Sequence, residues 1–170
     1  MSFEAEKHIT CCFTGHRPEK LPWGDNESSP DCAALKDRLA RTLEGLYRRG
    51  FRHFISGMAQ GCDLYFAEAA LSLRERHPDT VIEAAIPCPS QTKGWEEEVR
   101  ARYQAILDRC DLETMVQQHY SQGCMFRRNR YMVDRSARII AVYNGIPKGG
   151  TAQTLLYALG KGLETDILEL

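Results

Sequence analysis

The hydrophobic residues of this sequence alternate between two spacings along most of the chain. Apolar runs typical of strands are followed by stripes with the 3.6-residue period of a helix, and this order recurs from Ile9 onwards. Strands separated by helices pair in parallel, because each connection crosses one face of the sheet. We therefore predict an α/β fold with a mostly parallel sheet and helices on both faces, formed by one domain over residues 1–170.

Glycine, proline and small polar residues separate the predicted elements. Strands are predicted at Ile9–Thr14, Phe51–Ser56, Val81–Ile86, Glu113–Val116 and Arg138–Tyr143, with Asp166–Leu170 as a candidate sixth. Helices are predicted from Asp31 to near Gly50, at Asp63–Arg76, through Trp95–Ile106, at Met125–Arg135 and at Thr151–Lys161. The segment Leu21–Pro30 has the composition of a surface loop or flap.

Composition argues against several classes of protein. No apolar run approaches the roughly 20 residues that a membrane-spanning helix needs. Residues Met1–His8 carry charges before any apolar stretch, which differs from a secretory signal, so we expect a cytoplasmic protein. Because 22 basic residues balance 23 acidic ones, non-specific binding of nucleic acid is not expected, and any basic site must be local.

The seven cysteines include no Cys-x-x-Cys pair. This spacing argues against a disulfide framework and against a zinc site, and we predict no metal site. The cysteines are expected to be reduced thiols, several of them in the core.

The most informative residues follow the predicted strands. In a parallel sheet these turns lie together at the carboxyl edge, where a ligand binds in a crevice. The four turns are Gly15–Pro18, Gly57–Asp63, Pro87–Trp95 and Gly145–Thr151. We therefore expect the functional site at this edge.

Two of these turns are rich in glycine and precede a helix. Glycine lets the backbone approach a ligand closely, and free helix amides attract a phosphate. Neither turn matches the Gly-x-Gly-x-x-Gly fingerprint or the phosphate-binding loop of nucleotide hydrolases. Alternatively, the glycines only permit tight turns, while Asp63 and Thr151 cap their helices. Two such turns at one edge favour a nucleotide-sized ligand in a Rossmann-like fold.

Several polar side chains at the edge are candidate contacts. Arg17 has the planar fork that grips a phosphate, and His16 beside it is a donor or an acid–base group. Asp63 either accepts from ribose hydroxyls or caps its helix. Gln91 and Trp95 suit a base edge and a base face, although core packing also explains Trp95. Most members of the run Arg127–Arg138 are expected on a solvated face.

These motifs together resemble a known superfamily. The stretch Ile55–Asp63 resembles the turn of the DprA (Smf) family, and Met125–Thr151 resembles the LOG family of nucleotide-processing proteins. Both belong to the SLOG superfamily of Rossmann-like domains. Thr14–Pro18, the GMAQGCD turn with Ala67-Glu68, the Pro87–Trp95 loop and Gly149-Gly150-Thr151 resemble its YpsA-like branch over nearly the whole chain.

The resemblance implies a nucleotide-derived ligand and no required cofactor. The residues predicted to contact the ligand are Gly15, His16, Arg17, Gly57, Met58, Ala59, Gly61, Asp63, Gln91, Arg128, Gly149, Gly150 and Thr151. Arg128 is the preferred member of the basic run because an arginine four residues before a methionine is part of the LOG pattern. SLOG relatives commonly dimerise, so a homodimer is expected to be compatible with this chain.

The resemblance to LOG enzymes breaks at their catalytic carboxylates. At those positions this chain has Gln153 and Thr154, which cannot take a proton or stabilise an oxocarbenium charge. A sensor or regulator with weak or no catalysis is therefore the leading hypothesis. The alternative is an N-glycosidase of nucleoside monophosphates that uses Arg128 with Glu68 or Asp63. Binding of single-stranded DNA, as in DprA, is the third hypothesis.

Overall fold

The computed structural model describes residues 6–170, and the expectation for Met1–His8 falls partly outside them. Within this part of the chain, six strands form one sheet in the order β4-β3-β2-β1-β5-β6, and every neighbouring pair is parallel. The strands are β1 (Thr10–Gly15), β2 (His53–Ser56), β3 (Val81–Ile86), β4 (Leu112–Met115), β5 (Arg138–Tyr143) and β6 (Glu164–Glu169). The predicted sheet is confirmed, and it is entirely parallel.

Five α-helices connect these strands within the described residues. They are α1 (Pro30–Arg48), α2 (Cys62–Arg76), α3 (Glu97–Arg109), α4 (Cys124–Asp134) and α5 (Gly150–Gly160). A short 3-10 helix, Pro18–Lys20, follows β1. None of the helices among residues 6–170 is long and apolar enough to cross a bilayer.

Two hydrophobic clusters lie on opposite faces of the sheet. Alternate residues of one strand point to opposite faces, so Phe13 of β1 packs with α1, α2 and α3, whereas Cys12 packs with α4 and α5. In α1, Leu35, Leu39 and Leu43 are buried along the predicted stripe. The structure is thus a three-layer, Rossmann-like sandwich, as predicted.

The order of the strands creates a crevice beside β1. The chain first adds β2, β3 and β4 on one side of β1, and then returns to add β5 and β6 on the other side. The loops that leave β1 and β5 therefore diverge to opposite faces of the sheet. Ligands of open α/β sheets bind at such a switch point.

Candidate functional site

A cleft with two lobes lies at the carboxyl edge of the sheet. The first lobe, of about 270 Å³, is lined by His16, Arg17 and Lys20 after β1, and by residues of α2, α4 and α5. We call it the β1–β5 lobe. The second, of about 520 Å³, is lined by Trp95 and by other residues after β2, β3 and β4, and we call it the Trp95 lobe. Arg17, Ala59 and Met125 line both lobes, so the two form one continuous cleft.

The amino terminus of α5 opens into the β1–β5 lobe. Gly149, with a φ of 96°, precedes the helix, and no side chain among residues 6–170 caps it. The first amide with a hydrogen bond inside the helix is that of Gln153, which donates to the Gly149 carbonyl at 3.1 Å. The preceding helical amides and the helix dipole therefore favour an anion beside Gly150 and Thr151, which line the lobe.

Two cations line the same lobe. Arg17 and Lys20 are exposed, and within residues 6–170 neither side chain has a hydrogen bond or an ion pair. The Lys20 ammonium occupies the space that a Cβ at Gly149 would need, so this glycine brings the lysine to the helix terminus. The lobe thus combines two positive charges that form no ion pair among the described residues with free backbone donors, which is the chemistry of a phosphate site.

The turn after β2 is closed by contacts within the protein. The Cys62 amide donates to the His16 carbonyl at 3.2 Å, and the Ala59 amide donates to Oδ2 of Asp63 at 3.1 Å. A Cβ at Gly61 would lie 2.9 Å from the His16 carbonyl oxygen. The turn after β2, the other predicted anion cradle, therefore forms a wall of the cleft, and its Ala59 and Cys62 amides donate to protein groups.

Gly57 and Met58 fix the conformation of the same turn through hydrogen bonds and packing. The Gly57 carbonyl accepts hydrogen bonds from the Arg128 guanidinium and from Nε2 of Gln91, the latter at 2.9 Å. Met58 has a left-handed backbone with a φ of 59°, and its side chain is fully buried in the core. Such a conformation in a non-glycine residue is strained and requires support from its surroundings.

Asp63 and Arg128 place opposite charges in the interior of the β1–β5 lobe. Burial raises the pKa of Asp63, although Arg128 and Arg17 oppose this shift. Burial lowers the pKa of Arg128, while the nearby Asp63 opposes it. Arg128 is therefore a buried cation beside the cleft, and Asp63 is a carboxyl group that holds a proton more readily than an exposed aspartate.

His16 joins the ends of β1 and β5. Its Nε2 accepts a hydrogen bond from the Asn144 amide at 3.1 Å, so the neutral ring carries its proton on Nδ1. Burial lowers the pKa of His16, and the positive charge of Lys20 lowers it further. The histidine is thus a neutral bridge between the two loops of the crevice.

Gln91 is buried, and both ends of its amide have protein partners. Nε2 donates to Gly57, and Oε1 accepts from the Tyr103 hydroxyl at 3.0 Å. Tyr103 also packs against Trp95 with ring centroids 5.4 Å apart and planes at 88°. Gln91 therefore fixes the wall of the cleft, while the half-buried Trp95 lines the Trp95 lobe.

Glu68 lies apart from the cleft. Its carboxylate is exposed and forms an ion pair with Arg102 of α3. The structure therefore does not bring Glu68 together with the other predicted site residues. Gly15, which lines the β1–β5 lobe, instead packs against Cys62, whose Cβ lies 2.6 Å from the position of an added Cβ.

Lys20 and Asn129 are two of the polar residues that line the β1–β5 lobe and that were not among the predicted contacts. Lys20 lies three residues after Arg17, and residues at this spacing eclipse in a 3-10 helix, so a predicted 3-10 turn would have included it. Asn129 accepts from Nε of Arg128 at 2.8 Å and donates to Thr154 at 2.9 Å. No spacing in the sequence indicated this link between α4 and α5.

Comparisons with known proteins establish the family. A sequence model named YpsA, described as the YspA SLOG family, matches residues 11–163. The chain belongs to this SLOG family. The SPbeta prophage-derived protein YoqJ of Bacillus subtilis is 31% identical over 143 residues, covering 76% of this chain and 83% of YoqJ. The UPF0398 protein YpsA of Bacillus subtilis is 28% identical over 135 residues, covering 78% of this chain and 72% of that protein.

A solved structure agrees with this SLOG assignment at the level of the fold. DNA processing protein A from Helicobacter pylori superposes with a TM-score of 0.63 at 19% identity, covering 97% of this chain and 67% of that one. The Helicobacter protein binds single-stranded DNA. The predicted resemblance to the YpsA-like branch of the SLOG superfamily is confirmed.

Proposed function

We propose that this protein binds a small nucleotide-derived ligand in the cleft and acts as a sensor or regulator. One observation carries the proposal: the side chains of Arg17 and Lys20, which form no ion pair among the described residues, meet the amino terminus of α5 in one lobe. Such a site suits a phosphate group. The adjoining Trp95 lobe provides room and aromatic surface for the rest of the ligand.

The carboxylates of the lobe favour binding over catalysis. Within the described residues, Asp63 and Glu19 are the carboxylates that line the β1–β5 lobe. Asp63 is held by the Ala59 amide, and Glu19 is exposed beside two cations. Glycoside hydrolysis uses two carboxyl groups on one substrate bond, and the hydrogen bond of Asp63 to a backbone amide supports binding rather than catalysis.

A thermal-shift screen with AMP, ADP-ribose and cyclic dinucleotides tests the proposal. A ligand at 100 times its Kd adds about 2.7 kcal/mol to the free energy of unfolding. For any ligand that binds, Arg17→Met should weaken affinity by about tenfold, because one charge-assisted hydrogen bond to phosphate is lost.

The matched control is Arg41→Met, which removes an exposed arginine of α1 whose ion pair lies outside the cleft. The affinity of this variant should equal that of the wild type. The proposal is wrong if no nucleotide stabilises the protein, or if the two arginine variants bind equally well.

An N-glycosidase is the second candidate, and the raised pKa of Asp63 in the cleft favours it, because a general acid must retain its proton near neutral pH. Incubation of nucleoside monophosphates with the protein, followed by chromatography for free base, tests this activity. Asp63→Asn should abolish release, whereas Glu68→Gln should not change it, since Glu68 lies outside the cleft. Release that persists in Asp63→Asn would contradict the role of Asp63.

An oligonucleotide is the remaining candidate ligand, because the Helicobacter protein of similar fold binds single-stranded DNA. The exposed cations at the cleft, with the balanced charge of the whole chain, predict at most weak, salt-sensitive binding. A salt titration starting at about 50 mM measures it. Retention of an oligonucleotide that Arg17→Met abolishes would place DNA, rather than a free nucleotide, in this cleft.

A further inference from the structure

The Trp95 lobe has the charge and the surface expected for an aromatic ring. No aspartate or glutamate is among the described residues that line it, whereas Arg17 and Lys93 are. A cationic group would therefore meet uncompensated positive charge. A neutral ring is not repelled by this charge. An anionic group attached to the ring would reach the β1–β5 lobe through the opening that the two lobes share.

Two aromatic side chains provide surface for stacking. Trp95 rests on Tyr103 in an edge-to-face arrangement, which holds the indole in place. Tyr120 is 71% exposed although it lines the same lobe. A large aromatic side chain left exposed at a cavity gains buried area when a planar ligand enters. Stacking of one base on an aromatic side chain contributes about 1 to 3 kcal/mol.

Gln60 is the amide of this lobe with unused hydrogen-bonding capacity. It is half-buried and lines the lobe, and its side chain has no hydrogen bond within residues 6–170. Gln91, which was predicted to read a base, uses its own amide to bind Gly57 and Tyr103. A reader of the ring edge must have a free donor and a free acceptor, and of these two glutamines only Gln60 has both.

The chemistry of an amide selects one kind of edge. A glutamine side chain presents one donor beside one acceptor, and it therefore pairs with an edge that presents an acceptor beside an amino donor. Adenine has this arrangement at N7 and N6, whereas guanine presents two acceptors at N7 and O6. At the N7 edge of guanine the amide oxygen of Gln60 would face the O6 acceptor instead of an amino donor, so the amide pairs less well with that edge.

We propose that the Trp95 lobe is the base subsite of the cleft, that Trp95 and Tyr120 stack on the base, and that Gln60 selects adenine over guanine. This inference rests on the proposed function, since the phosphate of the same ligand occupies the β1–β5 lobe. Gln60 then recognises the base, whereas Gln91 supports the turn at Gly57.

The experiment uses the fluorescence of Trp95 and calorimetry. The chain has two tryptophans, and Trp23 donates to the Tyr65 hydroxyl at 3.3 Å outside the cleft. In Trp23→Phe the remaining tryptophan reports on the Trp95 lobe alone. Titration with AMP should change its fluorescence. Calorimetry should show that Trp95→Leu weakens AMP binding about tenfold or more.

The substitution Gln60→Leu tests whether Gln60 recognises the edge of the base. It should weaken AMP binding by about tenfold and leave GMP binding within about twofold of the wild type. Gln104→Leu is the matched control, because Gln104 is exposed on α3 and bonds only to Asp108 of its own helix among described residues. Neither nucleotide should distinguish this variant from the wild type.

The outcomes separate the base subsite from the proposed function. If calorimetry detects no binding of AMP or GMP to the wild type, the base subsite and the reader both fail; if, in addition, no ligand of the thermal-shift screen binds, the proposed function fails too. If AMP binds without a change in Trp95 fluorescence and equally well to Trp95→Leu, the base subsite is overturned while nucleotide binding stands. If Gln60→Leu affects AMP and GMP equally, Gln60 is not the reader.

Discussion

Gly57 shows how one residue without a side chain positions two others. Its carbonyl accepts from Arg128 and Gln91, and a Cβ would lie 2.7 Å from the central carbon of the Arg128 guanidinium. Real Cβ atoms do not approach other atoms so closely, so Arg128 must move if Gly57 is replaced. The glycine is required here by packing, since its φ does not lie in the left-handed region.

We predict that Gly57→Ala lowers the free energy of unfolding by about 1 to 3 kcal/mol, because the added methyl group overpacks a buried site. It should also weaken phosphate binding, since Arg128 is displaced from the cleft wall. Urea denaturation measures the first effect, and nucleotide titration measures the second.

Gly45→Ala is the control for this substitution. Gly45 lies within α1, and an added Cβ would have no atom within 4 Å. Alanine there should raise the free energy of unfolding by about 0.5 to 1 kcal/mol, because glycine is costly inside a helix. If both variants were stabilised alike, the close packing of Gly57 against Arg128 would be disproved.

The sequence located the residues of the rim but not the partners of their polar groups. Gly57 and Gly61 follow β2 as predicted, yet which amides remain free depends on the His16 carbonyl, which is distant in the chain. Met58 was grouped with its neighbours because it lies in the same turn. A left-handed φ at a methionine, which buries its side chain, has no signature in a single sequence.

At the scale of elements, apolar periodicity predicted the strands β1 to β6 and the helices α1 to α5 to within a few residues. The weakest prediction, the fourth strand, is the edge strand β4, whose Leu112 is 48% exposed. An edge strand buries fewer side chains, so its pattern carries less information. The contacts that hold α4 against the sheet depend on residues from four elements, and periodicity does not reveal them.

The α4 helix is anchored to the sheet through a buried carboxylate. Glu83 of β3 accepts from the Tyr131 hydroxyl of α4 at 2.7 Å, and also from Thr114 and His53. Although burial raises the pKa of Glu83, these hydrogen bonds from His53, Tyr131 and Thr114 leave it lower than usual. Tyr131 lies one turn after Arg128, so this anchor also holds the arginine of the cleft.

We predict that Tyr131→Phe lowers the free energy of unfolding by about 1.5 to 3 kcal/mol, because a buried charge loses a hydrogen bond. Tyr157→Phe is the matched control, since the Tyr157 hydroxyl donates to the exposed Asp134 at 2.7 Å. The control should change stability by less than about 0.5 kcal/mol. Equal effects in urea denaturation would show that Glu83 does not depend on Tyr131.

At the scale of the whole molecule, one arginine joins three parts of the chain on the face of the sheet that α1, α2 and α3 cover. Arg102 of α3 pairs with Glu27 of the loop before α1 and with Glu68 of α2. Lys36 of α1 also pairs with Glu27, at 2.6 Å. Glu27 therefore ties the predicted flap to α1 and α3, and Arg102 links α3 in turn to α2. The flap follows directly on the turn that carries Arg17 and Lys20.

This network makes the free energy of unfolding depend on pH in the acidic range. Burial alone would raise the pKa of Glu27, but hydrogen bonds from Arg102 and Lys36 lower it from 4.5 to about 2. A carboxylate with a lowered pKa stabilises the folded state above pH 4.5, and this contribution is lost as the pH falls towards 2. Arg102→Met should therefore reduce the free energy of unfolding at pH 7 by about 1 kcal/mol.

The difference between the wild type and Arg102→Met should shrink between pH 7 and about pH 3. Below pH 4.5 the unfolded chain takes up a proton at Glu27 while the folded wild type still holds the carboxylate, and this reduces the contribution of the ion pair. Urea denaturation at both pH values measures it. Arg109→Met breaks the exposed pair with Glu75 and should leave stability nearly unchanged at either pH. A deficit of Arg102→Met that stays constant with pH would mean that Arg102 stabilises the fold by packing on Tyr65, over whose ring it lies at 5.8 Å, rather than through its carboxylates.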